Sequence, residues 1–382
     1  MAVYLDHNAT TPLDPRVLEA MLPYLAEHHG NPSSMHRSGR VARAAVDRAR
    51  EQVAALVNAQ PEQVIFTGCG TEASNLAIKG FAALHGPGRI AIGATEHPSV
   101  TAPANVLKQG GWQLSVLPVD GQGRLVEAET QALLKQGPQL VSVMWANNET
   151  GVIQDIPALA AQVRAHGGVL HTDAVQAAGK IEIDFSASGV QLMTLAAHKL
   201  NGPKGVGALI VDKSVELAPL LHGGGQEKGR RSGTENVAGV VGFGAACALA
   251  GADLENYGSR MQPLRERLEA ELRALGDIEI FAAGAKRLPN TVCFGTRGVD
   301  GETLLLNLDR EGIAVSSGSA CASSHREPSP ILSAMGIDAD LALGAIRVSL
   351  GHGNTMQDIE QFVAALTAQL RRLRPAAVRA VG

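Results

Sequence analysis

Short apolar runs alternate with longer amphipathic stretches through the first half of the chain. The runs predict buried strands at Val64–Phe66, Ile90–Ile92, Leu114–Leu117, Leu140–Met144, Val169–His171 and Leu192–Leu195. Most of the stretches between them have the apolar period of a helix. Alternating strands and helices are typical of a mainly parallel sheet with helices on both faces. A ligand of such a sheet binds beyond the carboxyl ends of its strands, so the turns after these strands form the candidate site.

The pattern changes on both sides of this alternating region. Residues 14–58 predict two helices, and a glycine-rich loop at 223–234 leads into an apolar helix at 237–252. Beyond residue 256 the pattern predicts a charged helix at Arg260–Leu275, strands near Ile278–Phe281, Thr291–Phe294 and Ile346–Leu350, and helices from Glu302 and over Met356–Arg374. We therefore expect a large domain over 14–255 and a smaller α+β domain formed by 1–13 and 256–382.

Composition narrows the class of protein. The 382 residues are 45% hydrophobic, which is enough for a large core, and their net charge is −4. The absence of a basic excess and the 3% of aromatic residues predict no nucleic-acid partner. Glycines interrupt the apolar helix at 237–252, which predicts a packed core helix or a subunit contact and no membrane span. Without a signal-like N-terminus, a C-x-x-C pair or zinc spacing, we expect a cytoplasmic enzyme with reduced cysteines and no metal.

A lysine at the end of a predicted strand is the first candidate for chemistry. Lys199 follows the apolar run at 192–198 and precedes a turn at 201–205, and Asp173 ends an upstream run. An amine and a carboxylate at two strand ends suit pyridoxal 5′-phosphate (PLP). This cofactor forms a Schiff base with a lysine and needs an acid beside its pyridine nitrogen. Taken alone, Lys199 fits a solvated surface lysine better, and its apolar flank and the rest of the chain favour the catalytic interpretation.

Other predicted strand ends carry polar groups with weaker signals. The turn at 66–72, which contains Gly70 and Thr71, suits either a phosphate at a helix start or an ordinary capped turn. His97 suits stacking on a planar cofactor or a structural hydrogen bond. Asn148 suits a phenolate or carboxylate ligand, and asparagine is also an ordinary turn residue.

Two further residues indicate a nucleophile and an anionic ligand. Cys321 lies in the small and polar segment Ser316–Ser324. A thiol exposed on such a loop suits a nucleophile that carries a group away, whereas an unreactive surface cysteine is the alternative. Arg347 lies among apolar residues and therefore needs an anionic partner, either a structural carboxylate or the carboxylate of a substrate.

Together these segments resemble the class I cysteine desulfurases, which are fold-type I PLP enzymes. The resemblance rests on HTDAVQ at 171–176, AHK at 197–199 with GPKG at 202–205, RSGT at 231–234 and SSGSAC at 316–321. It covers the chain from Tyr4 to about Gly351. It implies an α/β fold whose large domain has a mainly parallel seven-stranded sheet between helices, with a smaller α+β domain that carries the Cys321 loop.

The resemblance assigns roles around the PLP ring. Lys199 would carry PLP as a Schiff base and later move the Cα proton of the substrate. Asp173 would pair with the pyridine nitrogen, and His97 would stack on the ring. Gln176 and Asn148 would form hydrogen bonds near the ring oxygen O3′.

It also assigns the phosphate site. Gly70, Thr71 and His198 would contact the phosphate, joined by Thr234 of a neighbouring subunit. Ala196 stands where the family usually has a serine that donates to the phosphate, so Ala196 would offer only its backbone. Because Thr234 would act across a subunit boundary, a homodimer is expected.

The reaction implied by the resemblance is the conversion of L-cysteine to L-alanine. Arg347, with Asn148, would bind the carboxylate of the substrate, and Cys321 would take the sulfur as a persulfide. The sulfur would pass to an acceptor such as an iron–sulfur scaffold or a thiolation protein. Cys69, beside the phosphate turn, is expected to be a passive thiol, and Cys247 and Cys293 are expected to be inert core residues.

Two other classes of function compete with this one. A PLP-dependent selenocysteine lyase or aminotransferase on the same fold has no evident need for a thiol at Cys321. A cofactor-free sulfur carrier has no need for the set of Lys199, Asp173 and Gln176. We therefore favour a cysteine desulfurase.

Overall fold

The computed structural model describes residues 3–317 and 327–380. Its strands are β1 (Val3–Tyr4), β2 (Val64–Thr67), β3 (Arg89–Gly93), β4 (Gln113–Leu117), β5 (Leu140–Ser142), β6 (Val169–Asp173), β7 (Leu192–Ala196), β8 (Gly207–Val211), β9 (Glu279–Ile280), β10 (Thr291–Gly295), β11 (Ile313–Ala314), β12 (Ser316–Ser317) and β13 (Ile346–Ser349). Its helices are α1 (Pro15–Ala26), α2 (Arg37–Leu56), α3 (Gly70–Asn75), α4 (Phe81–His85), α5 (Pro98–Gln109), α6 (Glu127–Leu134), α7 (Ile156–Ala165), α8 (Phe185–Ser188), α9 (Val237–Ala274), α10 (Gly301–Arg310), α11 (Pro330–Ala334), α12 (Ala339–Leu343) and α13 (Met356–Ala380).

A seven-stranded sheet forms the centre of the molecule, in the order β2-β8-β7-β6-β5-β3-β4. The strands from β3 to β7 run parallel, whereas β8 is antiparallel to both of its neighbours. The predicted α/β fold with a mainly parallel seven-stranded sheet is therefore confirmed, and all six predicted runs form strands of it. The runs did not include β8. It follows β7 after a short connection, and the residues that lead into it, Gly205-Val206-Gly207, have the composition of a turn.

Alternate residues of each strand face opposite sides of this sheet, where helices cover them. In β8, Ala208 and Ile210 join a core that contains α1, α2, α7 and the first part of α9. Leu209 and Val211 join a second core with the helices that follow β2 and β3. This period of two places consecutive apolar residues in different cores, which is why the strands read as continuous apolar runs.

A second sheet, in the order β12-β13-β10-β9, is antiparallel. Its apolar face packs with α10, α13 and the second half of α9. The N-terminal strand β1 pairs in parallel with β11, beside this sheet. A smaller α+β unit around 256–380 is therefore present. The exact division into domains stays a prediction, because the expected boundary at 255/256 falls inside the continuous helix α9.

Helix α9 corrects one expectation. The sequence suggested an apolar helix at 237–252 and a separate charged helix at Arg260–Leu275, whereas one helix spans Val237–Ala274. The change from apolar to charged residues reflects a change of surroundings, since the first half packs in the main core and the second on the smaller sheet. Among the described residues, α9 is long and apolar enough to cross a membrane by length and composition alone. Its contacts with α1 and α2 are those of a core helix.

Candidate active site

A cavity of about 410 Å³ opens at the carboxyl ends of the central parallel strands. Strand β6 ends at Asp173, and strand β7 ends at Ala196, immediately before the 3₁₀ turn Ala197–Lys199. The cavity therefore lies where the strand pattern placed it. The predicted site residues that line it are Gly70, Thr71, His97, Asn148, Asp173, Gln176, Ala196, His198, Lys199 and Arg347.

Lys199 presents its amine to this cavity from the turn after β7. Its Nζ donates to the carbonyl oxygens of Asn8 and Ala9 at 2.6 and 2.7 Å. Burial and the nearby Arg347 charge lower the pKa of Lys199 to about 8, although Asp173 and Asp6 act in the opposite direction. A lysine with this pKa is partly neutral near physiological pH, and a neutral amine is the nucleophile that an aldehyde requires.

Asp173 ends β6, and His97 lies after β3, at the start of α5; strands β6 and β3 both border β5. Asp173 is 8% exposed, and its Oδ1 accepts the N–H of Val175 at 2.9 Å. Burial raises the pKa of Asp173, while the nearby His97 and Lys199 lower it. A cation placed against this carboxylate would hold it ionised.

His97 caps the start of α5 with its ring. The N–H of Ser99 donates to His97 Nδ1 at 3.1 Å, so this nitrogen is unprotonated. Burial lowers the pKa of His97, which keeps the ring neutral with its hydrogen on Nε2. A neutral, fixed ring at the cavity wall suits stacking on a planar group.

The turn before α3 provides backbone donors. Gly70 and Thr71 are the first residues of the helix, and N–H groups at this position have no acceptor within the helix. The turn packs closely on the sheet, because a Cβ at Gly207 would lie 2.6 Å from the carbonyl carbon of Cys69 and 2.9 Å from the nitrogen of Gly70. Only glycine at 207 allows this approach. The N–H groups of this turn would suit a small anion.

A row of buried polar side chains crosses the strands whose ends form the cavity. The ring of His171 forms hydrogen bonds with Ser142 Oγ at 2.8 Å and Thr194 Oγ1 at 3.0 Å. Ser74 Oγ continues the row to Thr194 Oγ1 at 3.2 Å. Burial lowers the pKa of His171 to about 3, so this ring is neutral. These hydrogen bonds connect β5, β6 and β7 with α3.

Arg347 has the ion pair that its apolar surroundings required. Its Nη2 lies 2.6 Å from Asp6 Oδ1, and its Nη1 donates to the carbonyl oxygen of Asn148 at 3.2 Å. Asn148 Oδ1 and Arg347 Nε are buried without a hydrogen-bond partner among the described residues. Arg347 is thus a member of a structural ion pair and also lines the cavity, and its binding of a substrate carboxylate stays a prediction.

The N-terminal segment contributes groups to which the sequence had assigned no role. Asn8 and Ala9 line the cavity beside Lys199. The carbonyl oxygen of Asn8 also accepts Gln176 Nε2 at 2.9 Å, and Lys180 Nζ donates to Gln176 Oε1 at the same distance. The available sequence signal for Lys180 was its position, four residues after Gln176 and between small and β-branched residues, Ala178-Gly179 and Ile181.

Two predicted residues are not placed in this cavity. Thr234 is exposed on the loop before α9 and does not line it. Cys321 lies outside the described residues. Of the other cysteines, Cys69 is exposed at the cavity and accepts the N–H of Glu72 at 3.4 Å. Cys247 and Cys293 are fully buried, and burial raises the pKa of both thiols, as expected of inert core residues.

Comparisons with known proteins agree with this geometry. The family model described as aminotransferase class-V matches residues 3–362. A protein of Dictyoglomus turgidum named cysteine desulfurase IscS is 42% identical over 375 residues, which are 97% of this chain and 95% of the relative. A solved structure described as a NifS-like protein has a TM-score of 0.92 and 36% identity, and covers 98% of this chain and 100% of its own. A structure of SspA in complex with cysteine has a TM-score of 0.80 and 29% identity, over 91% of this chain and 98% of its own.

Proposed function

Since this chain belongs to the aminotransferase class-V family, and within it to the cysteine desulfurases, we propose that it converts L-cysteine to L-alanine and collects the sulfur on Cys321. The family is PLP-dependent. The observation that carries the proposal is the joint placement of Lys199 and Asp173, at the ends of adjacent strands, in one cavity. The relative whose structure holds cysteine supports the choice of substrate.

The residues of the cavity fit PLP. The amine of Lys199, with its lowered pKa, would meet the aldehyde, the buried carboxylate of Asp173 would meet the pyridine nitrogen, and the turn at the start of α3 would meet the phosphate. The buried Asn148 Oδ1, which lacks a partner among the described residues, shows that the polar lining is incomplete by itself. When bound, PLP supplies an electron sink that makes the Cα proton of an amino acid removable.

The residues that line the cavity then have the following roles. Lys199 would bind the cofactor and move the Cα proton, since its Nζ is held at the cavity wall and is partly neutral near pH 8. Asp173 would keep a proton on the ring nitrogen, and His97 would cover one face of the ring. Gln176 and Asn148 would lie near the ring oxygen, and Arg347 would bind the substrate carboxylate as a planar guanidinium.

The phosphate group has its own set of residues. Gly70, Thr71 and His198 line the cavity and would contact the phosphate, and Ala196 lines it with a methyl group where a serine hydroxyl would donate. Thr234 is exposed, as a residue that completes the site of a second copy must be. We therefore propose a homodimer in which Thr234 reaches the phosphate of the partner's site.

The transfer of sulfur from the substrate to Cys321 needs no added oxidant or reductant, because the substrate carbon is reduced as its sulfur is oxidised. The thiolate of Cys321 attacks the sulfur of the substrate, a sulfur–sulfur bond forms, and the carbon–sulfur bond breaks. The electron pair of the broken bond stays with carbon, which takes up a proton and becomes the methyl group of alanine. A thiol acceptor such as an iron–sulfur scaffold or thiolation protein then removes the outer sulfur from Cys321.

Mass spectrometry after incubation with L-cysteine tests this proposal directly. We expect an adduct of about 32 Da, one sulfur atom, on the peptide that contains Cys321. Alanine should form without any keto acid, which distinguishes desulfuration from transamination. The Cys321→Ser variant should keep the cofactor absorbance and lose the adduct. Full alanine production by that variant, or an unchanged cofactor spectrum in Lys199→Ala, would contradict the assignment.

A further inference from the structure

A second buried lysine lies directly behind the proposed cofactor site. Lys180 is 6% exposed and lies in the turns that follow β6. Its Nζ donates to Gln176 Oε1 at 2.9 Å and to Asn8 Oδ1 at 3.3 Å. Among residues 3–317 and 327–380, no carboxylate forms a salt bridge with it. A lysine buried without an ion pair lowers the stability of the fold. Both acceptors of Lys180 belong to residues that line the cavity, which indicates a role in positioning them.

The chemistry of the lysine fixes the orientation of the Gln176 amide. Burial and the charges of Lys199 and Arg347 lower the pKa of Lys180 to about 7, but its amine has N–H donors in either protonation state, and the amide oxygen of Gln176 accepts one of them at 2.9 Å. The carbonyl oxygen of Asn8 has only lone pairs, so it requires the amide nitrogen, which it receives at 2.9 Å. Both neighbours therefore select the same orientation of Gln176. One N–H of the amide is used by Asn8, and the other remains available at the cavity that Gln176 lines.

The same lysine holds the residue that receives the Lys199 amine. The carbonyl oxygen of Asn8 accepts both Gln176 Nε2 and Lys199 Nζ, the latter at 2.6 Å. The side chain of Asn8 is fixed at both ends, with Oδ1 accepting from Lys180 and Asn290 and Nδ2 donating to Thr291 Oγ1 at 2.9 Å. A displacement of Asn8 would therefore move the acceptors of Lys199.

We propose that Lys180 is a positioning residue that turns the remaining N–H of Gln176 toward the cofactor oxygen and holds Asn8 against Lys199. It touches neither substrate nor cofactor and acts through these two neighbours. A phenolate oxygen accepts hydrogen bonds, so Gln176 in this orientation is a donor to it, and in the flipped orientation would repel it. The role toward PLP rests on the proposed function, whereas the role toward Asn8 does not.

Retention of PLP measures the first role. We expect PLP to leave Lys180→Met about tenfold faster than the parent, which corresponds to about 1.4 kcal/mol, with a shift of the visible band of the bound cofactor. Lys180→Arg keeps donors only, and a cavity of about 570 Å³ beside Lys180 gives it room, so this variant should retain PLP and the parent spectrum. Lys213→Met, at an exposed lysine after β8, is the matched control for a lost charge.

A double-variant cycle separates positioning from general stability. In a Gln176→Ala background, Lys180→Met should change PLP release clearly less than it does in the parent, because its route through Gln176 is gone and only the route through Asn8 remains. Effects that multiply, or parent-like retention and spectrum in Lys180→Met, would overturn the proposal. Should Lys180→Met fail to fold, Gln176→Glu serves instead. Its carboxylate still accepts from Lys180 but has no N–H to offer, so parent-like retention there would equally overturn it.

Hydrogen exchange in the cofactor-free protein measures the second role. The amides of residues 4–12 should exchange several-fold faster in Lys180→Met and unchanged in Lys213→Met, since Asn8 loses a side-chain donor. Unchanged exchange in this segment would overturn the role toward Asn8. A parent protein that binds no PLP would contradict the proposed function, and the exchange result would still decide the structural part.

Discussion

The nucleophilicity of Lys199 before any cofactor binds follows from the charges around it. Burial and Arg347 lower the pKa of Lys199 to about 8, against the ordinary value of 10.5. At pH 7 about one amine in ten is then neutral, compared with about one in 3,000 for an ordinary lysine. Because only the neutral amine attacks an electrophile, the reactivity of Lys199 should rise with pH around a midpoint of about 8 and level off above it.

Two substitutions should move this midpoint in opposite directions. Arg347→Met removes the cation that disfavours an ammonium, so the pKa of Lys199 should rise. Asp6→Asn removes an anion that favours the ammonium, so the pKa should fall. Each shift should be about one unit, equivalent to 1.4 kcal/mol between the two protonation states.

Competitive acylation of the cofactor-free protein, followed by mass spectrometry of the Lys199 peptide, provides the assay. The exposed Lys213 serves as an internal reference of ordinary reactivity. A Lys199 midpoint above about pH 10 would refute the reasoning, as would a midpoint that neither substitution moves. Equal shifts at Lys213 would show a change in the reagent and not in the site.

Three other substitutions test the surroundings of the site. Ala196→Ser should tighten PLP binding by about tenfold, since a hydroxyl at this cavity position adds a donor to the phosphate; equilibrium dialysis with PLP checks this, and weaker binding would contradict the placement of the phosphate. Glu227→Ala should lower the free energy of unfolding by about 3–5 kcal/mol, because the Arg50 guanidinium, which Glu227 contacts at 2.7 and 2.8 Å, and the N–H of Phe66 both lose this acceptor. Denaturant unfolding measures this, with Glu62→Ala, at an exposed position of the 3₁₀ turn Pro61–Gln63, as the control. Gly207→Ala should release PLP faster and destabilise the protein by about 1–3 kcal/mol, because the added Cβ would push the Cys69–Gly70 turn away from the sheet. PLP retention like that of the parent would show that this turn has no part in binding.

Much of the site followed from local sequence. Residues that end parallel strands meet at one edge of a sheet whatever the details of packing, so Asp173 and Lys199 could be placed together from the apolar runs that precede them. The motifs of the desulfurase family added Gln176, His198 and Ala196, and the cavity contains all three. Their roles toward the cofactor stay predictions. The position of the Cys321 thiol relative to Lys199 also stays a prediction.

Local pattern was insufficient where direction or continuity depended on neighbours. The apolar residues of β8 have no signal of strand direction, and this strand runs antiparallel because a short turn returns it beside β7. The composition of α9 changes at its middle because the helix passes from one core to another, which a sequence window reads as a break. Both outcomes are set by what packs against the element.

The sequence by itself determined the layered sheet, the strand-end chemistry and the family, because these depend on residue type and spacing along a short stretch of chain. Only the tertiary structure decided that Asp6 pairs with Arg347 across a separation of 341 residues, and that Asn8 joins Gln176, Lys180 and Lys199. Hydrogen bonds of this kind link groups that are far apart in the chain, and their partners are fixed only when the two cores have packed. The polar network behind Lys199 is thus a property of the folded molecule.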